Sequence, residues 1–406
     1  MMMSRGARAW LALALLVLCL GWAGAGTGQG LPPARGEIAG TGPVRVALIV
    51  PLSGGAGLAG PARAIRNGAV LALEAAGAGA QIHLVIKDSG ADPQRAGTLA
   101  REAVGEGARL ILGPIRAEAV EAAAGAVDGS GVPIIGFSST GAVAGPGVFL
   151  LSVLPEVAAM RGLGHARDRG ARAGAAIVPD NRTGAAHEAA FRAAASAQAM
   201  TAVAVERFAD EAGARAAVEA LGPLLRSGRI DTLYLPDPLT APSLASLLEA
   251  VQYPKSRVLI VGSAQWAERE AIAAHPFLSG AVYPAPDAGA AAGLAAAYRA
   301  RFSAEPDSFA MMGFAAASLA DTPGLVMAGY LPAMIARAGG FMGPEGPFRF
   351  HLDGRGEYGL GIFEVRAEGA ALIEAGRMGG IPLDTSGRGS SDDGIIPPVG
   401  ESLLRE

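Results

Sequence analysis

The feature that most constrains this chain is a rhythm of short, mostly apolar runs separated by Ala-rich stretches. Val44–Val50 (VRVALIV), Gln81–Lys87, Arg109–Leu112, Val132–Phe137 and Val148–Leu154 read as strands, with helices at Pro61–Ala76, Pro93–Glu106 and Glu118–Val127 between them. Runs without polar alternation belong to strands buried on both faces, which requires a parallel sheet covered by helices on each side. The rhythm then restarts, with strands at Ala173–Val178, Thr201–Phe208, Thr232–Leu235 and Val258–Val261 and helices at Ala185–Ala197 and Glu211–Leu225. Two such series of roughly 110 residues each, with no long linker, predict an α/β chain of two similar lobes. Helices are expected from Ala288 to Arg301 and from Ser308 to Ala338. The rhythm breaks where Phe348–Phe350, a turn containing Asp353-Gly354, and Tyr358–Val365 read as a β-hairpin.

At both ends the sequence changes character. Arg5 and Arg8 precede the apolar run Trp10–Gly21, which meets Ala23-Gly24-Ala25. A positive start, a run of this length and a small-residue site read as a cleavable secretory signal peptide, residues 1–25. The run falls short of the roughly 20 residues a membrane span needs, and no later run reaches that length without charges. Lipidation at Cys19 is disfavoured by the bulky Leu18 before it. Residues 26–43 read as a flexible lead-in, and 376–406, rich in Gly, Ser and Asp, as a disordered tail. Cys19 is the single cysteine, so cleavage near Ala25 would leave neither a disulfide nor a cysteine-based zinc cage. With 33 basic against 37 acidic residues there is no basic field to gather nucleic acid.

Motifs for chemistry are absent or explained by composition. Gly55-Ala56-Gly57-Leu58-Ala59-Gly60 follows a strand and opens a helix, as a dinucleotide fingerprint does. With 59 glycines in 406 residues, however, such a triple arises about once by chance. Asp88, the acidic residue at the end of the second strand, also comes too late to hold a ribose, so no cofactor is expected. Neither Lys87 nor Lys255 sits in a phosphate loop. Ser138-Ser139-Thr140 lacks the flanking glycines of a nucleophile elbow, and His187-Glu188 has no second His at metal-binding spacing. The chain therefore reads as non-catalytic and metal-free.

What remains is a ring of polar loops at the carboxyl ends of the strands, where open α/β sheets bind ligands. In the first lobe these carry Ser53, Arg116, Ser138, Ser139 and Thr140; in the second, Asn181, Arg182, Asp237, Gln265 and Trp266. Each polar residue has a second reading as a helix cap or turn. Trp266, a large aromatic on a loop, calls for a hydrophobic partner or a ligand face.

Val46-Ala47-Leu48-Ile49-Val50-Pro51-Leu52-Ser53-Gly54, Asn67-Gly68-Ala69, Ile111-Leu112-Gly113-Pro114 and Gly346-Pro347-Phe348 resemble the type I periplasmic binding proteins of the Leu/Ile/Val-binding kind, in order from Val44 to Ala375. The resemblance implies two Rossmann-like lobes, 44–153 plus 286–340 and 154–285 plus 341–375. Three crossovers near Leu154, Pro284 and Gly340 would join them around a ligand cleft. Phe137–Thr140 running into Val143–Leu151 and Leu154-Pro155-Glu156 resembles the penicillin-binding protein activator (LpoA-like) branch, which implies regulation of a peptidoglycan synthase. The alternative is a periplasmic receptor handing amino acids or small carboxylates to an ABC permease.

One departure bears on the ligand. The position where the resemblance implies an ammonium-binding carboxylate falls near Gln265, which is neutral. An ammonium buried there would lose a charge-assisted partner. Arg116 and Arg182 facing the cleft would instead suit a carboxylate.

Overall fold

The computed structural model describes residues 31–287 and 291–378. The first lobe holds strands β1 (Glu37–Ala39), β2 (Val44–Val50), β3 (Ile82–Asp88), β4 (Leu110–Leu112), β5 (Ile134–Gly136) and β6 (Val148–Leu150), in the sheet order β1-β3-β2-β4-β5-β6. All neighbours are parallel except β1, which runs antiparallel to β3. On β2 the side chains divide between two cores, Val46, Leu48 and Val50 on one face and Ala47 and Ile49 on the other. Burial on both faces is why the run shows no polar alternation.

Helices α1 (Ala56–Ala76), α2 (Pro93–Gly105) and α3 (Ala117–Val127) cover this sheet. Asp92 caps α2, its carboxylate accepting from the Gln94 backbone N–H at 2.9 Å. α1 lies against a later helix of the same lobe, Ser308–Ala320. Their backbones nearly touch: a Cβ on Gly68 would sit 1.9 Å from the Ala310 carbonyl oxygen, and one on Gly313 2.1 Å from that of Ile65.

The chain leaves the first lobe after β6 and enters the second through α4 (Pro155–Asp168) and β7 (Ala173–Pro179). There follow α5 (Arg182–Ala197), β8 (Thr201–Phe208), α6 (Glu211–Arg226), β9 (Thr232–Tyr234), α7 (Ala241–Ala250), β10 (Leu259–Val261) and β11 (Val282–Ala285). The chain returns to the first lobe with α8 (Ala292–Phe302) and α9 (Ser308–Ala320). It ends in β12 (Phe341–Gly343), β13 (Gly346–Phe350), β14 (Gly356–Tyr358), β15 (Leu360–Arg366) and β16 (Gly369–Arg377). The second sheet runs β16-β15-β11-β10-β9-β7-β8, parallel from β11 to β8, with β15 and β16 added antiparallel at one edge.

The two-lobed α/β reading stands, with differences in detail. Glu37–Ala39 falls in the stretch read as a flexible lead-in, yet it is an edge strand on β3. The helix expected over Ser308–Ala338 ends at Ala320, and only short turns of helix follow at Pro323–Met327 and Pro332–Ile335. Each restarts on a proline, which lacks the N–H needed to continue a helix but suits a first turn. The hairpin pairs Phe348 with Tyr358, but its second strand stops there. β15 departs to pair with β11. The final crossing therefore lies at the start of β15 and not near Gly340, because Phe341, Phe348, Phe350, Tyr358 and Leu360 belong to the first lobe's core and Ile362 to the second's. The tail read as disordered from Gly376 begins inside β16, where Arg377 pairs with Leu360. The readings for the signal peptide, for the rest of the tail beyond Met378 and for the start of a helix at Ala288 lie outside the described residues.

Among the described residues, no helix is long and apolar enough to cross a membrane, and no group of three His, Cys, Asp or Glu side chains could hold a metal ion.

Candidate functional site

The loops that follow β5, β7 and β10 meet the start of α4 around a cavity of about 70 Å³. The first lobe contributes Ser139 and Thr140, and the crossover contributes Val153, Pro155 and Ala158. The second lobe contributes Arg182, Thr183, Ala186 and His187 from the start of α5, and Ser263, Ala264 and Gln265 from the loop after β10. This is the inter-lobe position at the carboxyl ends of the strands, where such sheets bind ligands.

Four of the residues selected from sequence line the cavity: Ser139, Thr140, Arg182 and Gln265. The other six do not, and each has a local reason. Ser53 uses its backbone N–H on Asp88 (3.1 Å) and lies on the exposed rim. Ser138 is buried, its hydroxyl accepting from the Thr140 N–H at 3.1 Å, so it shapes the loop that presents its neighbours. Asn181 caps α5 through Gly184 N–H at 2.9 Å. Asp237 accepts from the Thr240 N–H (3.2 Å) and hydroxyl (2.5 Å) and so builds the turn into α7. Arg116 stands half-exposed at the head of α3, with its Nε 3.4 Å from Glu118. Trp266 turns away from the cleft into the second lobe's core, only 1% exposed, against Tyr283 at 6.3 Å between ring centroids. Of the two readings for that aromatic, the hydrophobic partner is the one observed.

The residue that sequence reasoning passed over is His187. It is 3% exposed, and its Nδ1 lies 3.0 Å from the hydroxyl of fully buried Tyr234. Burial pushes its pKa down to about 4, against the pull of Asp237, so the imidazole is neutral at pH 7. Burial likewise pushes the Tyr234 phenol up, keeping it protonated. No other acceptor for the Tyr234 hydroxyl occurs among the described residues, so the hydroxyl donates to Nδ1 and the proton of the imidazole sits on Nε2. A signal for His187 does exist in the sequence: residues four apart share a helix face, and His187 follows Thr183 at that spacing.

Electrostatically the cavity is one-sided. No carboxylate lines it among the described residues. Its cation, Arg182, places Nη1 2.9 Å from Glu118 of the first lobe, which also faces Arg116. The donor from its own backbone N–H, aided by the two arginines and opposed by burial, holds the Glu118 carboxyl below its ordinary range. Arg182 keeps further N–H groups for another acceptor, since a guanidinium has five. Ser263 ties the loop after β10 to that after β9, its hydroxyl donating to the Pro236 carbonyl at 2.7 Å.

A family model described as periplasmic binding protein matches residues 43–370. The chain belongs to the periplasmic binding protein family. Solved structures share its fold. One is described as a branched-chain amino acid ABC transporter from Rhodospirillum rubrum (19% identity, TM-score 0.70, covering 81% of this chain and 99% of that one). Another is an ABC transporter solute binding protein from R. palustris in complex with benzoate (17% identity, TM-score 0.61, covering 82% and 97%). A third is a leucine binding protein from Thermotoga maritima (16% identity, TM-score 0.59, covering 82% and 99%). No curated protein matches the sequence. These comparisons do not single out the penicillin-binding protein activator branch.

Proposed function

We propose that this chain is the extracytoplasmic receptor of an ABC uptake system and that it closes on a small carboxylate carrying no ammonium group. The observation that carries the reading is a cavity with a cation and neutral donors but no carboxylate among its lining residues. Ser139, Thr140, the Nε2–H of neutral His187 and the spare N–H groups of Arg182 can all donate, while among the described residues no carboxylate lines the cavity and nearby Glu118 is already paired with Arg182 and Arg116. Val153, Pro155, Ala158, Ala186 and Ala264 offer apolar wall to a compact body. An amino acid would bury its ammonium against these groups without a charge partner. The solved relatives are described as transporter binding proteins, one of them with benzoate bound, which favours uptake over regulation of a cell-wall synthase. The segment that resembles the activator branch, Phe137 to Glu156, contains the cavity loop, β6 and the first crossover, parts that solute binding itself requires.

A thermal-shift panel on the chain starting at Gly26 tests this. A ligand at ~100 times its dissociation constant adds about 2.7 kcal/mol of stability. A shift with benzoate or another small carboxylate, and none with leucine, is the expected outcome. A shift with leucine alone would sink the assignment of ligand class, and silence with every small solute would reopen the synthase reading.

A further inference from the structure

A cavity of about 430 Å³, far larger than the one in the cleft, opens at the opposite end of the second lobe's sheet. It is built from the segments that lead into β7, β9, β10 and β11, so it lies at the amino ends of those strands, away from the cleft. Its volume falls within the range of small-molecule sites.

Three cations stand around it: Arg169, Lys255 and Arg257. Among the described residues neither arginine has an ion pair or a side-chain hydrogen bond. Lys255 Nζ makes only a long contact of 3.5 Å to the Pro276 carbonyl and lies over the Phe277 ring at 5.5 Å. The one carboxylate in the wall, Asp231, is committed to the backbone: it accepts from the N–H groups of Arg172 (2.8 Å) and Ala173 (3.2 Å) and lies 3.2 Å from the Thr232 hydroxyl. The cavity is thus positively charged in a chain whose formal net charge is −4. Arg169 sits at the C-terminal end of α4, where a cation complements the helix dipole, but Lys255 and Arg257 have no such reason to be there.

We propose that this cavity is a second binding site, distinct from the inter-lobe cleft, for a phosphate-bearing molecule with an apolar portion. Guanidinium groups and an ammonium match phosphate oxygens, Ser256 and Ser279 add hydroxyls, and Ala171, Val258 and Phe277 in the lining give the apolar portion edges to meet. A free phosphorylated compound and a phospholipid headgroup present the same chemistry.

Calorimetry with phenyl phosphate, and co-sedimentation with phosphatidylglycerol against phosphatidylcholine vesicles, separate these two sources. Wild type is expected to bind phenyl phosphate, the anionic vesicle, or both. The double variant Arg169→Ala/Arg257→Ala should weaken that binding at least tenfold. Arg182→Ala, in the cleft, should leave it unchanged. An unaltered melting temperature of the double variant excludes misfolding as the cause, and Arg257→Ala alone serves if the double variant does not fold. No binding of either probe at millimolar phosphate overturns the proposal. So does binding that survives the double variant, or that is lost with Arg182→Ala.

Discussion

Glu118 on α3 of the first lobe and Arg182 at the head of α5 in the second meet across the cleft at 2.9 Å, and Arg116 holds the other carboxylate oxygen at 3.4 Å. The contact exists only when the lobes are this close, so the pair contributes to closure and not to the fold of either lobe. Both side chains are exposed, and such pairs contribute about 0–1 kcal/mol. Glu118→Gln should therefore move the open-to-closed ratio toward open by a factor of about five at most. Small-angle scattering of the ligand-free protein reads this as an increased radius of gyration. Raising the salt concentration should produce the same opening in wild type and little further change in Glu118→Gln, because screening acts on the same pair.

His187 should leave a signature in stability against pH. Its folded pKa, about 4, lies below the ordinary value of 6.5, so the unfolded chain takes up a proton first as pH falls. The native state is consequently penalised below pH 6.5, and the penalty is complete near pH 4. Compared with His187→Gln, wild type should lose about 2 kcal/mol between pH 7 and pH 4.5. Urea titrations of both proteins at the two pH values measure the gap. The same variant should weaken carboxylate binding at pH 7, where it removes the Nε2–H donor.

The lobes were legible because doubly buried strands carry no polar alternation, and Val44–Val50, apolar but for Arg45, fits that pattern. The closing segment was harder. The hairpin Phe348–Tyr358 has a recognisable turn, but nothing local says that its aromatic rings join the first lobe while Leu360–Arg366 completes the second sheet. Ser139, Thr140, Arg182 and Gln265 line the cavity because they follow strand ends. Asn181, Asp237 and Ser138 follow strand ends too and are consumed in caps and turns. Residue type does not separate the two fates, since the same hydroxyls and carboxylates do both jobs. Trp266 was misplaced for a different reason: its neighbours Ser263 and Gln265 face the cavity, and only the short helical turn over Ala264–Glu268 rotates the indole into the core.

The glycines at the crossing of α1 and α9 allow a direct test of packing. A methyl group on Gly68 would meet the Ala310 carbonyl at 1.9 Å, and backbone cannot yield as a side chain end can. Gly68→Ala should destabilise by about 1–3 kcal/mol or more. Gly57, the second glycine of the fingerprint-like run, has open space around its Cβ position and sits in the first turn of α1. Gly57→Ala should be neutral or stabilising by up to about 1 kcal/mol. Chemical denaturation of the two variants checks both signs, and a large loss for Gly57→Ala would show a close approach that the structure does not contain.

Glu345, in the turn between β12 and β13, should tilt the stability curve the opposite way from His187. Burial pushes its carboxyl up to about 8, and Glu268 and Asp307 add repulsion against its ionised form. Those two acids come from different lobes: Glu268 accepts from the Ser308 N–H at 2.8 Å, and Asp307 caps α9 through the Ala310 N–H at 2.9 Å. A folded pKa above the ordinary 4.5 means that the native state holds a proton the unfolded chain has released. That contribution is complete below pH 4.5 and is lost as pH rises through 8. Between pH 4.5 and pH 6.5 the two residues oppose each other, so wild type should look nearly flat there while His187→Gln and Glu345→Gln tilt in opposite directions. Above pH 7 His187 no longer titrates, and wild type should lose about 1 kcal/mol relative to Glu345→Gln between pH 7 and pH 8.5. Urea midpoints of the two single variants and the double variant across this range separate the two contributions, and parallel curves for wild type and Glu345→Gln above pH 7 would mean that the Glu345 carboxyl is already ionised in the folded protein.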